Sequence, residues 1–133
     1  MILMDTHVLV WLLEGSPRLG SSTLRQINAA FQAGKAAVSA ISFWELGMLV
    51  EKGRIRVDMD ISIWRKDLLQ QGLLELPITG EIAIKAAALE SLHGDPVDRL
   101  IAATALQHSL TLFTADEKLL NCKLAVQRCD ASK

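Results

Sequence analysis

Four acidic residues follow the ends of predicted strands or open predicted helices along the chain. Asp5 ends the first apolar run, Asp116 follows a later one, and Glu45 lies in the first turn of a helix predicted after the second strand. Because the carboxyl ends of parallel strands meet at one edge of a sheet, we expect Asp5, Glu45 and Asp116 at the same edge. Asp98, in the first turn of another predicted helix, joins them if that helix packs beside the first strand.

A pocket of like carboxylates has a definite chemistry. The charges repel and raise one another's pKa unless a cation is present, and an all-oxygen pocket suits the hard cations Mg²⁺ and Mn²⁺. One or two such ions lower the pKa of a bound water and neutralise a phosphodiester. The chain has no phosphate-binding P-loop, dinucleotide-binding GxGxxG or GxSxG nucleophile motif, so the pattern favours metal-dependent phosphodiester hydrolysis.

Taken singly, each acid also has a structural interpretation as a helix cap. Two pairs have the spacing of a capping box, Ser42 with Glu45 and Thr114 with Glu117. Asp95 has the position of an N-cap with Pro96 at the first helical position, and Asp98 then benefits from the helix dipole. Asp5 has the position of a cap for the helix that follows it. Capping alone does not require four acids at one edge.

The elements that must position these acids alternate along the chain. Five short apolar runs are predicted strands, at residues 2–4, 36–39, 73–76, 110–113 and, more weakly, 124–126. Helical patterns lie between them, including residues 42–51, 61–71, 79–92 and 96–108. Continuous apolar strands that alternate with helices predict an α/β domain with a parallel sheet of four to five strands, covered on both faces.

Composition limits the function classes. The chain has 133 residues, of which 50% are hydrophobic and 22% charged, so we expect one folded domain over residues 1–133 and no intrinsic disorder. A net charge of -1 excludes a broad basic footprint for nucleic acid. No apolar run approaches the roughly 18 residues of a membrane span, no secretory signal opens the chain, and two cysteines form no disulfide framework. These features predict a cytoplasmic protein.

Four segments in order carry a family resemblance: ILMDTHVLVW at residues 2–11, VSAISFWEL at 38–46, HGDPVDRLIAA at 93–103 and LFTAD at 112–116. Together they resemble PIN-domain proteins, specifically the VapC-type toxins of bacterial toxin–antitoxin pairs. The resemblance covers almost the whole chain. It departs slightly at Val97, where an aromatic residue is common.

The resemblance implies a three-layer α/β/α sandwich and a Mg²⁺- or Mn²⁺-dependent endoribonuclease that acts as a toxin. The implied catalytic and metal-binding acids are Asp5, Glu45, Asp98 and Asp116. Thr6 and Thr114 match hydroxyl positions that could assist, and Arg99 either reaches a phosphate or pairs with an acid. The implied partners are an RNA substrate, a second copy of the chain and a cognate antitoxin, which could insert a basic side chain among the acids.

Several other residues have two interpretations each. A basic stretch could contact the RNA backbone or form a solvated face: Lys52, Arg54, Arg56, Arg65 and Lys66. Three tryptophans could stack on bases, although Trp11 and Trp44 lie in apolar helical stripes, which favours the core or a protein interface over stacking; the third is Trp64. His7 and His93 flank the acids without a required role.

Two other function classes compete with the ribonuclease. A receiver-like signalling domain needs two adjacent acids after the first strand, but Asp5 is followed by Thr6 and His7. A PIN-like domain without activity, which binds RNA or protein only, is disfavoured because all four acids are present. The RNA target, the cleavage site and the number of metal ions do not follow from the sequence, because RNA is recognised through shape and unpaired loops.

Overall fold

Five short strands and seven helices form the described part of the molecule. The computed structural model describes the chain from Met1 to Lys133 except Val57, Met59, Glu90, Ser91 and His93. The elements are β1 Ile2–Met4, α1 Thr6–Glu14, α2 Ser21–Gln32, β2 Ala36–Ser39, α3 Ile41–Glu51, α4 Ile61–Gln70, β3 Leu74–Leu76, α5 Gly80–Ala87, α6 Pro96–His108, β4 Thr111–Thr114, α7 Glu117–Asn121 and β5 Arg128–Asp130. None of these helices is long and apolar enough to cross a membrane.

The five strands form one parallel sheet with β1 at its centre. The order is β3-β2-β1-β4-β5, and every neighbouring pair is parallel. The chain builds outward from β1 to β3 and then crosses back to add β4 on the other side of β1. The carboxyl ends of β1 and β4 therefore flank the point where the strand order reverses, which is where open α/β sheets bind ligands. Asp5 and Asp116 follow these two strands.

Helices cover both faces of the sheet, as predicted. Side chains alternate along each strand, so Met4 and Phe113 pack on one face against α1, α2 and α4, and Leu3 and Leu112 pack on the other against α6 and α7. A smaller cluster joins α5 to the outer side of α6. The result is a three-layer α/β/α sandwich with four well-predicted strands and α6 at its predicted bounds.

Two elements differ from the predictions by more than one residue at a boundary. The fifth strand is Arg128–Asp130 rather than residues 124–126. Helix α5 ends at Ala87 rather than continuing toward residue 92, and residues 90 and 91 of the predicted helix lie outside the described part. In the first case, Arg128 donates hydrogen bonds to the carbonyls of Leu119, Cys122 and Leu124, which hold this segment in irregular turns. β5 lies at the edge of the sheet and contains the polar residues Arg128 and Asp130, so it has no apolar run from which a strand could be predicted.

The two cysteines lie on opposite sides of the sheet. Cys129 packs against the cluster that contains Met4, and Cys122 packs against the one that contains Leu3. Both thiols are free. The separation agrees with the expectation that they form no disulfide within the chain.

Candidate active site

Asp5 is a buried carboxylate at the carboxyl end of the central strand. It caps α1, its Oδ1 accepting a hydrogen bond of 2.8 Å from the Val8 N–H, and its side chain is 4% exposed. Its Oδ2 accepts a hydrogen bond from the Thr114 hydroxyl. Burial raises the pKa of Asp5, and the hydrogen bonds from Thr114 and Val8 oppose the rise. The predicted cap is confirmed.

Thr114 joins the ends of β1 and β4. Its hydroxyl donates to Asp5 and accepts a hydrogen bond of 3.0 Å from the Asp116 N–H. The predicted capping box of Thr114 with Glu117 is therefore wrong, because Asp116 itself caps α7 by accepting from the Lys118 N–H at 2.8 Å. One buried hydroxyl thus orients the carboxylate of Asp5 and the backbone of Asp116.

Replacing Thr114 by valine should destabilise the fold. Thr114→Val keeps the side-chain shape but leaves the Asp116 N–H and a buried Asp5 oxygen without their partner, which we expect to lower the free energy of unfolding by about 1–3 kcal/mol. Urea unfolding of the metal-free protein measures the change. Thr114→Ser keeps the hydroxyl and should recover most of the loss; equal stability of the valine and wild-type proteins would contradict the role.

The pKa of Asp98 is affected by the charges of the other predicted acids. It is part-buried in the first turn of α6, and its pKa is raised to about 7. The main cause is burial, and the others, in decreasing order, are the negative charges of Asp95, Asp116, Asp5 and Glu45. The other three predicted acids are therefore within electrostatic range of Asp98.

Glu45 and Asp5 are held in register by a buried pair of hydroxyls. The predicted capping box of Ser42 with Glu45 is wrong, since α3 already begins at Ile41 and Glu45 lies beyond its first turn. The Ser42 hydroxyl instead accepts a hydrogen bond of 3.0 Å from the hydroxyl of Thr6, and both side chains are buried. This bond ties α1, just after Asp5, to α3, one turn before Glu45.

Asp95 belongs to the site as well as to the helix. It caps α6, accepting from the Val97 N–H at 2.9 Å with Pro96 in the first turn, which confirms the predicted cap. Among the neighbouring charges, however, that of Asp95 raises the pKa of Asp98 most. Sequence reasoning left Asp95 out of the pocket, although its spacing of three residues from Asp98 places both on one helical turn.

Arg99 binds the end of α5 rather than an acid. Its Nε and Nη2 donate to the carbonyls of Ala86 and Ala87, at 3.0 and 2.8 Å. These carbonyls belong to the last turn of α5, so Arg99 caps α5 and fixes it against α6. The interpretation as an ion pair with an acid is therefore wrong, and a contact of Arg99 with a phosphate stays a prediction. Of the two histidines that flank the acids in the sequence, His7 is exposed and lowers the pKa of Asp5, whereas His93 lies outside the described residues.

The oxygen-rich donor set fits a hard divalent cation. Across the part of the chain that the structure describes, no three Asp, Glu, His or Cys side chains are close enough to enclose an ion by themselves. Mg²⁺ ordinarily uses one or two carboxylates and keeps several waters, so an open arrangement suits it. The raised pKa of Asp98 shows negative charge that no cationic side chain there compensates. The chemistry of the site therefore agrees with Mg²⁺ or Mn²⁺.

The basic stretch divides into two parts. Arg65 forms a bidentate ion pair with Glu75, at 2.6 and 2.8 Å, and lies over the ring of Phe43, so it does not belong to a phosphate-binding surface. Lys52 and Arg54 instead line a cavity of about 240 Å³ together with Glu45. Within the basic stretch, Lys52 and Arg54 are therefore the residues that share a cavity with one of the four predicted acids.

The three tryptophans have different environments. Trp11 and Trp64 are partly buried against the hydrophobic core. Trp44 is 57% exposed, so it does not pack in the core, and the alternative that it belongs to a protein interface stays a prediction. It lines the same cavity as Glu45, the next residue in the chain.

Comparisons with known proteins agree with this geometry. A family model described as the PIN domain matches residues 2–123. The chain is 37% identical over 119 residues to Ribonuclease VapC22 of Mycobacterium tuberculosis strain ATCC 25618 / H37Rv, which covers 89% of this chain and 88% of that protein.

Solved structures share the fold. A chain of VapBC2 from Rickettsia felis, bound to a DNA fragment from their promoter, superposes with a TM-score of 0.69 and 19% identity, covering 98% of this chain and 100% of that one. A chain of a toxin–antitoxin complex from Klebsiella pneumoniae gives a TM-score of 0.60 and 23% identity, with 91% of each chain covered.

Proposed function

The chain belongs to the PIN-domain family, as a VapC-type toxin nuclease of a toxin–antitoxin system, and from this we propose that it is a Mg²⁺- or Mn²⁺-dependent endoribonuclease. The observation that carries the proposal is geometric: Asp5 and Asp116 follow adjacent parallel strands, and the Thr114 hydroxyl bonds to both residues. The pKa of Asp98, which burial and four other carboxylates raise, supports it. Such a cluster stores repulsion that a divalent cation relieves. The relative named as a ribonuclease supports RNA as the substrate.

Four acids have the proposed catalytic and metal-binding roles: Asp5, Glu45, Asp98 and Asp116. A divalent ion there would supply an activated water and offset the charge of the phosphodiester. The chain's own contribution is orientation. Thr114 holds the Asp5 carboxylate, the Thr6–Ser42 pair fixes the helices that carry Asp5 and Glu45, and burial keeps water from screening the charges.

The proposed partners follow from the relatives. Two solved relatives are described as a toxin–antitoxin complex and as VapBC2, which supports a cognate antitoxin for this chain. We propose that the antitoxin blocks the acids with a basic side chain. We also propose that the toxin is a homodimer, each subunit being a single PIN-like unit over residues 1–133. Its site of action would be the cytoplasm, which contains RNA and keeps thiols such as its two free cysteines reduced.

The purified chain should cleave RNA when Mg²⁺ or Mn²⁺ is present. We expect cleavage of total cellular RNA with either ion, loss of cleavage when EDTA is added in excess of the metal, and recovery when metal is restored, as gel electrophoresis would show. Cleavage that persists in EDTA would contradict metal dependence. Binding of RNA without cleavage in either ion would favour the inactive PIN-like domain.

A further inference from the structure

A small cavity opens directly beside the acids. Its volume is about 240 Å³, and its walls come from α3, through Trp44, and from the start of α6, through Pro96. Glu45 contributes to its lining, so the cavity is continuous with the proposed site. Pockets that enclose drug-sized ligands measure about 300–1,000 Å³, so this one has room for a single flat group.

Trp44 gives the cavity an aromatic wall. Its side chain is 57% exposed, and Met48, one turn later on α3, lines the same cavity. A bare tryptophan leaves a large apolar area in water, which favours a ligand that covers it. Because Trp44 and Glu45 line the same cavity, a group that stacks on the Trp44 ring lies near Glu45.

Two cationic residues, Lys52 and Arg54, also line the cavity. Helix α3 ends at Glu51, and Gly53, with a positive φ of 70°, turns the chain so that the Arg54 N–H donates to the Leu49 carbonyl at 2.9 Å. This turn sets Arg54 beside the cavity, with Lys52 as the C-cap of α3. In the described part of the chain the only recorded ion pair is between Arg65 and Glu75. The charges of Lys52 and Arg54 therefore face solvent at the cavity.

We propose that this cavity binds one unpaired RNA base next to the cleaved phosphate, stacked on Trp44, with the adjoining phosphates at Lys52 and Arg54. The proposal rests on the ribonuclease function above and adds how the substrate is held. A flat apolar wall, two cations and a carboxylate cluster side by side match the base, the backbone and the reacting phosphodiester of one nucleotide.

The test separates base from backbone. Fluorescence anisotropy measures the affinity of the full chain, with Ca²⁺ in place of Mg²⁺ to prevent cleavage, for single-stranded oligoadenylate and for an oligomer of the same length made of abasic ribose phosphates. We expect Trp44→Ala to weaken oligoadenylate binding by about 10-fold and to leave the abasic oligomer unchanged, because the ring contacts only bases. Arg54→Ala should weaken both and reduce the salt dependence of binding.

Two variants serve as controls. Trp44→Phe retains a stacking face and should recover most of the affinity. Ile84→Ala removes an apolar side chain that is 73% exposed on α5, and it should leave binding of both oligomers unchanged. Thermal unfolding of each variant checks that the fold is intact.

The outcomes distinguish the inference from the function. If wild type cleaves RNA but Trp44→Ala binds both oligomers like wild type, the base-binding role is wrong and the ribonuclease remains. If Trp44→Ala leaves RNA binding intact and loses the antitoxin, the cavity is a protein-docking surface, which also overturns the inference. If wild type neither binds nor cleaves RNA, the proposed function itself fails.

Discussion

An Asp5→Asn protein is expected to fold normally and to cleave RNA at least about 1,000-fold more slowly than wild type. Asparagine keeps the volume of the side chain and an oxygen that can accept from the Val8 N–H, so α1 keeps its cap. It removes the buried negative charge at the centre of the sheet edge. A divalent ion supplies several kcal/mol of transition-state stabilisation, and each 1.36 kcal/mol is worth a factor of ten in rate.

Asp130 provides a matched control for this change. It also ends a parallel strand, β5, but its carboxylate accepts from the backbone N–H and hydroxyl of Ser132, and its charge is not among those that raise the pKa of Asp98. Asp130→Asn should therefore cleave RNA at close to the wild-type rate. Equal cleavage by Asp5→Asn and wild type, with the fold of each checked by circular dichroism, would show a contaminating nuclease or a wrongly assigned site.

Removing the charge of Asp98 should make the metal-free protein more stable at pH 8. The folded-state pKa of about 7 exceeds the ordinary value of 3.8, so the folded protein holds this proton more tightly than the unfolded chain does. The free energy of unfolding therefore falls as pH rises from about 4 to about 7, and it stays at its lower value above pH 7. Solvent screening of a part-buried group and the lost interaction with the helix dipole reduce the net gain of Asp98→Asn to about 1 kcal/mol.

Thermal unfolding in EDTA at two pH values measures this effect. At pH 8 we expect the Tm of Asp98→Asn to exceed that of wild type by about 3–5 °C, and at pH 4 we expect the difference to vanish because Asp98 is then protonated. Adding Mn²⁺ at pH 8 should raise the Tm of wild type and not that of the variant. A variant that is less stable than wild type at pH 8, or that Mn²⁺ stabilises equally, would contradict the assignment of Asp98.

Local patterns predicted most of the elements correctly. The apolar runs of β1, β2 and β3 and the Asp95-Pro96 start of α6 each depend on neighbouring residues, so they can be read along the chain. The same reasoning failed at β5, where the strand is polar and the edge of the sheet determines its pairing. It also failed for α5, which ends where Arg99, a residue of another helix, satisfies its last carbonyls.

The hydroxyl groups of Ser42 and Thr114 show most clearly what local sequence patterns could not predict. Ser42 and Thr114 both have the sequence spacing of capping boxes, yet each is used across the sheet edge, toward Thr6 and toward Asp5. A cap competes with any other donor or acceptor that the fold brings near, and residues 36 and 109 positions away cannot be found from local spacing. Trp44 is similar: its apolar stripe predicted the core or a protein interface, and in the described part of the chain its side chain is 57% exposed.

The sequence by itself determined the parallel α/β sandwich and the family, because period, capping residues and ordered motifs are properties of short segments. It also predicted the four acids of the proposed site. Only the tertiary structure decided how those acids are held and what stands beside them. The buried hydroxyl pairs, the inclusion of Asp95, the capping role of Arg99 and the cavity under Trp44 all depend on contacts between distant segments. Such contacts depend on how helices pack across the sheet, and no local pattern encodes that packing.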